Sequence, residues 1–252
     1  MVLAWPRLRG LNVSVEEVRE EVRASAKQRF AMKRKPEATA GDDGEAGKWL
    51  IRANQGHSIN IASEGLHTPV TLEAGNIPEV VVHGTYFAFW ERILASGGLK
   101  KMGRTHVHFG TGVPEDGGGQ VHGEEDEDSG SGSKPKVISG MRADAEVLVF
   151  VDVEKSLRDG GIKWWLSDNG VVLSEGDETG TVPSRYFKEV RGRRQGVGLL
   201  WKDGEKVADL PENVVARKPM GKHRDAGRGQ RGRGRGRGGR GGGRGGRGGM
   251  EV

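Results

Sequence analysis

The stretch Lys48-Trp-Leu-Ile-Arg52-Ala-Asn54-Gln55-Gly-His57-Ser58 decides how the rest of the chain is interpreted. An apolar run leads directly into five hydrogen-bonding side chains and one glycine, which lets a backbone approach a ligand closely. Taken alone, this pattern is also typical of a strand that ends in a polar turn. Three polar clusters further along the chain favour a binding site.

These clusters are His83-Gly84-Thr85, then Gly98-Leu-Lys-Lys-Met102-Gly-Arg104-Thr-His106-Val-His108, then Ser139-Gly140-Met141-Arg142. The order continues through Leu166-Ser-Asp-Asn-Gly-Val-Val-Leu173 and Pro183-Ser-Arg-Tyr-Phe187. With the first stretch, over roughly residues 12–190, this series resembles the RNA 2'-phosphotransferase family, the NAD-dependent tRNA 2'-phosphotransferases. Each piece alone is a weak signal, whereas the whole series in this order is specific.

The composition limits the class of protein. Hydrophobic residues make up 34% of the 252 positions and 44 positions are Gly, so we expect part of the chain to be disordered. The chain has no Cys, which excludes disulfide scaffolds and thiolate metal sites and favours a reducing compartment. No apolar run reaches membrane-spanning length. We therefore expect an intracellular protein, nuclear or cytoplasmic, without a membrane partner.

The positive charge is concentrated at the C-terminus. Residues 222–252 contain ten Lys or Arg and two Asp or Glu, a net charge of +8, which leaves −3 for residues 1–221 of the overall +5. Residues 224–252 are an Arg-Gly tail whose composition prevents a packed core. Arginine offers a phosphate fork and a flat face for base stacking, so the tail predicts RNA binding; a solubilising tail is the alternative.

The coarse pattern predicts an α+β fold. Ser14 and Glu17 have the form of a capping box, and Val15, Val18 and Val22 follow at helical spacing, which predicts a helix to about Ala26. The resemblance implies a truncated winged-helix-like RNA-binding lobe over residues 1–68. It also implies an ADP-ribosyltransferase-type split β-sheet lobe that binds NAD, over residues 69–190.

Within the second lobe, residues 79–82 predict a buried strand that delivers His83 at its end, followed by a helix beginning near Thr85. Alternation over residues 105–109 predicts a strand with two His on one face. Residues 145–152 predict another strand, and Asn169-Gly170 predicts a hairpin. Residues 191–223 form a C-terminal extension with a short hairpin near Trp201.

Residues 110–136 are an insertion rich in Gly, Ser and acids, including the run Glu124-Glu-Asp-Glu-Asp128. A metal site is conceivable there. Like charges in a flexible segment are more often simply solvated, so we expect a flexible loop and no metal.

The resemblance implies the reaction. The 2'-phosphate of spliced tRNA attacks the nicotinamide ribose carbon of NAD, nicotinamide leaves, and the neighbouring ribose hydroxyl then attacks the phosphate. The products are RNA with a 2'-OH and ADP-ribose 1'',2''-cyclic phosphate, as in the final step of tRNA splicing. A dianionic phosphate calls for arginine forks and preorganised cations. The co-substrate is NAD, and we expect a monomer.

The resemblance also assigns the site residues. Arg52 and Arg142 stand where the family places two phosphate-handling arginines, although an isolated arginine more often forms a surface ion pair. One of the two His near residue 107 is expected to line the cleft, and one to be a satisfied core residue. No Gly-x-Gly-x-x-Gly follows a strand, which disfavours a Rossmann domain. The residues expected to bind NAD are His83, Gly84, Thr85, His106, His108, Ser139 and Asn169. Those expected to bind RNA are Lys27, Arg29, Gln55, His57, Ser58, Arg231, Arg233 and Arg235.

One departure from the family pattern affects the expected activity. Family members carry a further N-terminal segment with an adjacent Arg-His pair in the active site, and Leu8-Arg9-Gly10 lacks the His. We therefore expect either a truncated isoform or gene model, or a weakened activity. Two alternatives to the transferase remain open: an RNA- or NAD-binding protein of the same fold, and an RNA ADP-ribosyltransferase.

Deleting residues 224–252 removes nine arginines and should lower RNA affinity and flatten its salt dependence, because fewer counterions are released on binding. Turnover of a short substrate should stay nearly intact. Filter binding at several salt concentrations, beside a turnover assay, checks this. A collapse of turnover would place the tail in the active lobe.

Overall fold

The computed structural model describes residue 3 and residues 5–39, 41, 44–113 and 139–216. Over these residues the chain mixes helices with several sheets, which confirms the α+β class. Most of the predicted insertion (110–136) and all of the Arg-Gly tail (224–252) lie outside the described residues. Among the helices in the described ranges, none is long and apolar enough to cross a membrane.

The N-terminal part contains two helices and a hairpin. The helices are α1 (Pro6–Arg9) and α2 (Val15–Ala24), and the strands are β1 (Phe30–Arg34) and β2 (Trp49–Ala53), which pair antiparallel. The capping box is confirmed, since the Ser14 hydroxyl accepts from the Glu17 N–H at 3.2 Å and the Ser14 N–H donates to Glu17 Oε2 at 2.8 Å.

Helix α2 ends at Ala24, two residues earlier than predicted. The cause is Gln28, whose side-chain amide donates to the carbonyls of Val22, Arg23 and Ser25 at 2.7–3.2 Å. These bonds satisfy acceptors that the helix end leaves open, and they turn the chain toward β1. The backbone of Gln28 itself has a positive φ of 44°.

The described residues after β2 form the other strands and two further α-helices. The elements are β3 (Thr68–Val70), β4 (Val82–Thr85), α3 (Phe87–Ala95), β5 (Gly98–Lys100), β6 (Val107–Phe109), β7 (Val147–Val151), α4 (Val153–Asp159), β8 (Lys163–Leu166), β9 (Val172–Gly176), β10 (Thr181–Pro183), β11 (Phe187–Gly192), β12 (Gly198–Lys202) and β13 (Glu205–Lys206). One sheet has the order β13-β12-β11-β7-β4 and another the order β3-β8-β9-β6, and β5 pairs with β10. The core contains the fully buried Trp90, Phe109, Trp164 and Phe187.

The strand predicted over residues 79–82 is shifted. Strand β4 begins at Val82 and includes His83, Gly84 and Thr85, so His83 lies inside the strand and not at its end. Strand β4 begins where the chain pairs with β7, and within it His83 lies opposite Val149 of β7. Val82 and Gly110 exchange two backbone hydrogen bonds of 2.8 and 3.0 Å, which join β4 to the end of β6 in the other sheet.

The predicted hairpin at Asn169-Gly170 exists between β8 and β9, but its loop spans residues 167–171 and not two residues. The Ser167 hydroxyl accepts from the Val171 N–H at 3.0 Å and helps to close the loop. Gly170 has a positive φ of 73°. The backbone also closes this loop, because the Ser167 N–H donates to the Val171 carbonyl at 3.0 Å and the Gly170 N–H donates to the Ser167 carbonyl at 2.9 Å.

The predicted helix after Thr85 and the strand within residues 145–152 are confirmed as α3 and β7. The hairpin near Trp201 is also confirmed, as β12 and β13, and it extends the five-stranded sheet. Residue 68, the expected end of the first lobe, is the first residue of β3.

The Gly140→Ala substitution should destabilise the fold by about 2 kcal/mol, through overpacking and a strained backbone. An added Cβ would lie 2.7 Å from the Phe109 carbonyl oxygen, at a φ of +87°. Gly103→Ala is the matched control, because its Cβ would meet nothing within 4 Å. Urea unfolding measures both, and an equal effect at the two positions would contradict the packing described here.

Candidate functional site

Arg52 joins the N-terminal hairpin to the β8–β9 hairpin. It is an exposed residue of β2, opposite Ala31 of β1, and its Nη2 donates to Asp168 Oδ2 at 2.5 Å. The side chains of Arg52 and Asp168 are 42% and 52% exposed. The ion pair is thus open to solvent and accessible to an anionic ligand.

The turn that follows α2 is held by side chains from both hairpins and from the loop before β7. The Lys27 carbonyl accepts from Ser139 Oγ at 3.2 Å and from Asn169 Nδ2 at 2.9 Å. The buried Asn54 donates through Nδ2 to the Gln28 carbonyl at 2.7 Å. Ser139 and Asn169, expected to bind NAD, therefore fix this turn in the structure described.

An open cleft of about 990 Å³ lies against this turn. Its lining residues come from α2, both strands of the first hairpin and the loops near residues 111, 139 and 168. Three of them, Arg19, Arg23 and Lys27, are cationic. Trp49 also lines it, with the Arg19 guanidinium carbon 4.6 Å from the centroid of the indole.

Three imidazoles lie together beside Arg52. The ring centroids of His57 and His67 are 6.3 Å apart, and those of His67 and His106 are 5.7 Å apart. His67 is buried, and neither of its ring nitrogens has a hydrogen-bond partner among the described residues. Burial first, and then the neighbouring His106, His57 and Arg52, lower the pKa of His67 to about 4. His67 is therefore neutral near pH 7.

His83 and His108 form a second contact at the edge of the two sheets. His83 Nδ1 lies 2.9 Å from the His108 carbonyl oxygen, and a carbonyl can only accept, so Nδ1 carries the proton. Burial lowers the pKa of His83, which leaves Nε2 of the neutral ring as an acceptor. His108 is buried, and its Nε2 has no hydrogen-bond partner within the part of the chain that the structure describes. Burial, followed by the Arg104 charge, lowers the pKa of His108 to about 3.

Of the two His expected on one strand face, His106 is the satisfied one. Its Nε2 lies 2.8 Å from Ser63 Oγ, and its Nδ1 lies 2.8 Å from Thr105 Oγ1. His106 precedes β6, whose first residue is Val107, whereas His108 is inside the strand. Burial lowers the pKa of His106, and the nearby Glu175 opposes that shift.

Arg142 is exposed and is held by an aromatic hydroxyl. Its Nη1 donates to Tyr86 Oη at 3.2 Å, and Tyr86 Oη lies 3.0 Å from both carboxylate oxygens of Asp144. Burial raises the pKa of Tyr86, while the Arg142 charge acts in the opposite direction. Arg142 and Arg52 thus have different partners, and the segment 139–142 runs from the Lys27 turn to Tyr86.

Gly84, one of the residues expected to bind NAD, is closely packed against the segment that leads into β7. A Cβ there would lie 2.4 Å from Met141 Cγ and 2.8 Å from Ala145 Cβ. The space beside Gly84 is filled by protein, so the glycine brings the segment carrying Arg142 against β4. Thr85 is the last residue of β4 and is buried.

The residues expected to bind RNA are spread around the site. Gln55 and His57 are half-buried, and the His57 carbonyl accepts from the Thr105 N–H at 3.0 Å. Arg29 and Ser58 are exposed. Arg231, Arg233 and Arg235 lie outside the described residues.

Comparisons with known proteins identify the family of this chain. The family model described as "RNA 2'-phosphotransferase, Tpt1 / KptA family" matches residues 1–176. The chain belongs to this family. The resemblance inferred from the motifs is therefore confirmed.

Curated relatives extend the match beyond the family region. The chain is 37% identical to "tRNA 2'-phosphotransferase 1" of Homo sapiens, over 84% of this chain and 72% of the human protein. It is 38% identical to the Bos taurus protein of the same name, over 75% of this chain and 61% of that protein. It is 32% identical to "tRNA 2'-phosphotransferase" of Saccharomyces cerevisiae, over 69% of this chain and 64% of that protein.

Sequence reasoning missed three residues at this family member's site: Asp168, His67 and Tyr86. Asp168 stood inside a quoted motif but was interpreted only as part of a hairpin. Tyr86 follows His83-Gly84-Thr85 directly, so proximity to that motif was an available signal. His67 has no local pattern that indicates its position. Among the residues with described positions, no group of three or more His, Asp or Glu could hold a metal ion.

The neutral histidines predict acid sensitivity. In the unfolded chain each has a pKa near 6.5, so below that pH the unfolded state binds more protons and folding loses about 1.4 kcal/mol per pH unit per histidine. The loss continues to about pH 4 for His67 and about pH 3 for His108.

Urea unfolding at pH 7.5, 6 and 5 measures this dependence. In His67→Leu the unfolding free energy should fall less steeply with falling pH, by the contribution of one histidine. Stability at pH 7.5 should not be lower, because the imidazole has no hydrogen-bond partner among the described residues to lose. An unchanged slope in His67→Leu would contradict a buried neutral His67.

Proposed function

We propose that this chain transfers the splice-junction 2'-phosphate of ligated tRNA to NAD, giving ADP-ribose 1'',2''-cyclic phosphate, nicotinamide and RNA with a 2'-OH. Family membership supports the 2'-phosphotransferase activity, and relatives over most of the chain carry the name tRNA 2'-phosphotransferase. The observation that carries the proposal is the pair of exposed arginines, Arg52 and Arg142, each held in place by a neighbouring side chain.

Arg52 is suited to grip the phosphate. A guanidinium has five N–H donors in a rigid fork, and the bond to Asp168 uses one of them. The others can bind phosphate oxygens in the bidentate manner that a lone ammonium cannot reproduce. Since the 2'-phosphate is already a nucleophile, holding and aiming it should supply much of the rate.

Arg142 would stabilise charge that develops on the phosphate. Its guanidinium is anchored at Tyr86 and packs over that ring, with 5.8 Å between the guanidinium carbon and the ring centroid. A cation fixed before the reaction needs no reorganisation when charge develops, which is the main source of electrostatic catalysis.

His83 and His108 are the residues that would hold NAD. NAD supplies the ribose carbon that accepts the phosphate and the nicotinamide that leaves. In the described ranges the Nε2 of buried His108 has no hydrogen-bond partner, and the Nε2 of His83 is an acceptor, so both suit the hydroxyl and amide groups of a dinucleotide. Gly84, Thr85, His106, Ser139 and Asn169 would act mainly by supporting the elements that place these rings.

The finer architecture follows the same proposal. Residues 1–68 would form a winged-helix-like lobe that binds RNA, with Lys27, Arg29, Gln55, His57 and Ser58 near the cleft. The five- and four-stranded sheets would correspond to the split sheet of ADP-ribosyltransferases, over residues 69–190 with 191–223 as an extension. The Arg-Gly tail would add affinity for RNA through Arg231, Arg233 and Arg235. A monomer that acts inside the nucleus or cytoplasm, without a metal, is consistent with this function.

One assay tests the proposal against its alternatives. The protein is incubated with NAD and an RNA that carries one internal 2'-phosphate. Loss of the phosphate together with a cyclic phosphate product is the expected result. RNA that stays attached to ADP-ribose would indicate an ADP-ribosyltransferase, and no release of nicotinamide would indicate a binding protein; either result would overturn the proposal.

Arg142→Ala should slow phosphate removal about 100-fold in single turnover, as expected for loss of a preorganised cation, while RNA binding weakens far less. Tyr86→Phe keeps the ring but loses the hydroxyl that anchors Arg142, and should give an intermediate loss. Arg158→Ala is the matched control, because Arg158 pairs with Glu154 on exposed α4. Equal losses of binding and turnover in Arg142→Ala would count against this role.

A further inference from the structure

We propose that Asp168 is a positioning residue that orients the guanidinium of Arg52 toward the 2'-phosphate before RNA binds. This inference rests on the proposed function and adds to it a residue to which the motifs gave no role. Asp168 belongs to the hairpin loop at residues 167–171, and Arg52 lies 116 residues away in the chain. The contact therefore exists only when both hairpins are in place.

The loop that carries Asp168 is preformed. The Ser167 hydroxyl donates to Asn169 Oδ1 at 2.9 Å and accepts from the Val171 N–H at 3.0 Å. Asn169 in turn donates to the Lys27 carbonyl at 2.9 Å. The residues on both sides of Asp168 are thus tied down, so its carboxylate is presented at a defined place next to the Lys27 turn.

Arg52 needs such a partner. Its backbone is fixed by pairing with Ala31, but an exposed arginine side chain has many rotamers, and ordering it on ligand binding costs affinity and rate. His67, whose pKa the Arg52 charge helps to lower, is buried and neutral and so cannot hold the guanidinium as an ion pair would. Asp168 supplies an anionic contact that holds the Arg52 guanidinium.

The ion pair between Arg52 and Asp168 is better suited to orienting the Arg52 side chain than to stabilising the fold or blocking the phosphate. Both partners are about half exposed, and an exposed ion pair shifts the folding equilibrium by a factor of about five or less. A doubly charged phosphate can add to the free donors of Arg52 while Asp168 keeps one. The carboxylate also repels the phosphate, so it should raise the KM for RNA slightly while raising kcat.

The test uses the full chain and two substitutions. Asp168→Ala removes the acceptor, and should lower kcat about tenfold while leaving KM for 2'-phosphorylated RNA unchanged or lower. Asp168→Asn keeps an oxygen acceptor, and should restore most of that kcat. Asp209→Asn is the matched control, because Asp209 forms an exposed ion pair with Lys206 of β13, at the edge of the five-stranded sheet. Urea midpoints of all three should agree with the wild type.

A second readout does not depend on turnover. In ¹⁵N-labelled protein without substrates, the Nε–Hε signal of Arg52, assigned from its loss in Arg52→Lys, should shift and broaden in Asp168→Ala alone. Wild-type protein that fails to transfer phosphate would overturn the proposed function, whereas this signal tests the hold on Arg52 independently.

An unchanged Arg52 signal in Asp168→Ala would overturn the inference even if the wild type is active. So would an unchanged kcat, or equal defects in Asp168→Ala and Asp168→Asn. A lowered urea midpoint in Asp168→Ala would assign the residue to the fold and also overturn it.

Discussion

The ion pair between Arg52 and Asp168 is the contact on which the site depends, because it joins two hairpins from distant parts of the chain. Nearby, the Lys27 carbonyl accepts hydrogen bonds from Ser139, in the loop before β7, and from Asn169, in the second hairpin. These contacts are polar and partly exposed, so each adds little to the free energy of folding. Their effect is geometric: they set where an arginine fork lies relative to the loop that carries Arg142.

The histidines beneath this contact have the opposite character. His67 and His108 are buried with ring nitrogens that lack hydrogen-bond partners among the residues that the structure describes, and such a cost is rare outside functional sites. Burial keeps them neutral, which allows each ring to offer both a donor and an acceptor. A site with exposed cations at its rim and neutral rings in its interior fits a ligand with a charged phosphate next to uncharged ribose hydroxyls.

Local rules predicted the elements well where a side chain acts on its own backbone. Ser14 and Glu17 fixed the start of α2, and the Asn169-Gly170 pair correctly placed a hairpin. Two boundaries were wrong although the contacts involved are local: the Gln28 amide ends α2 early, and the β8–β9 loop spans residues 167–171 and not two residues. Asp168 was not predicted because its partner is 116 residues away, and the packing reason for Gly84 depends on Met141, which only the fold brings near.

The most direct test is a crystal structure of the protein with a 2'-phosphorylated dinucleotide. The account predicts the phosphate within hydrogen-bonding distance of the Arg52 guanidinium, with Arg142 facing the same phosphate and Asp168 still bound to Arg52. A phosphate seated elsewhere, or one that contacts neither arginine, would contradict it.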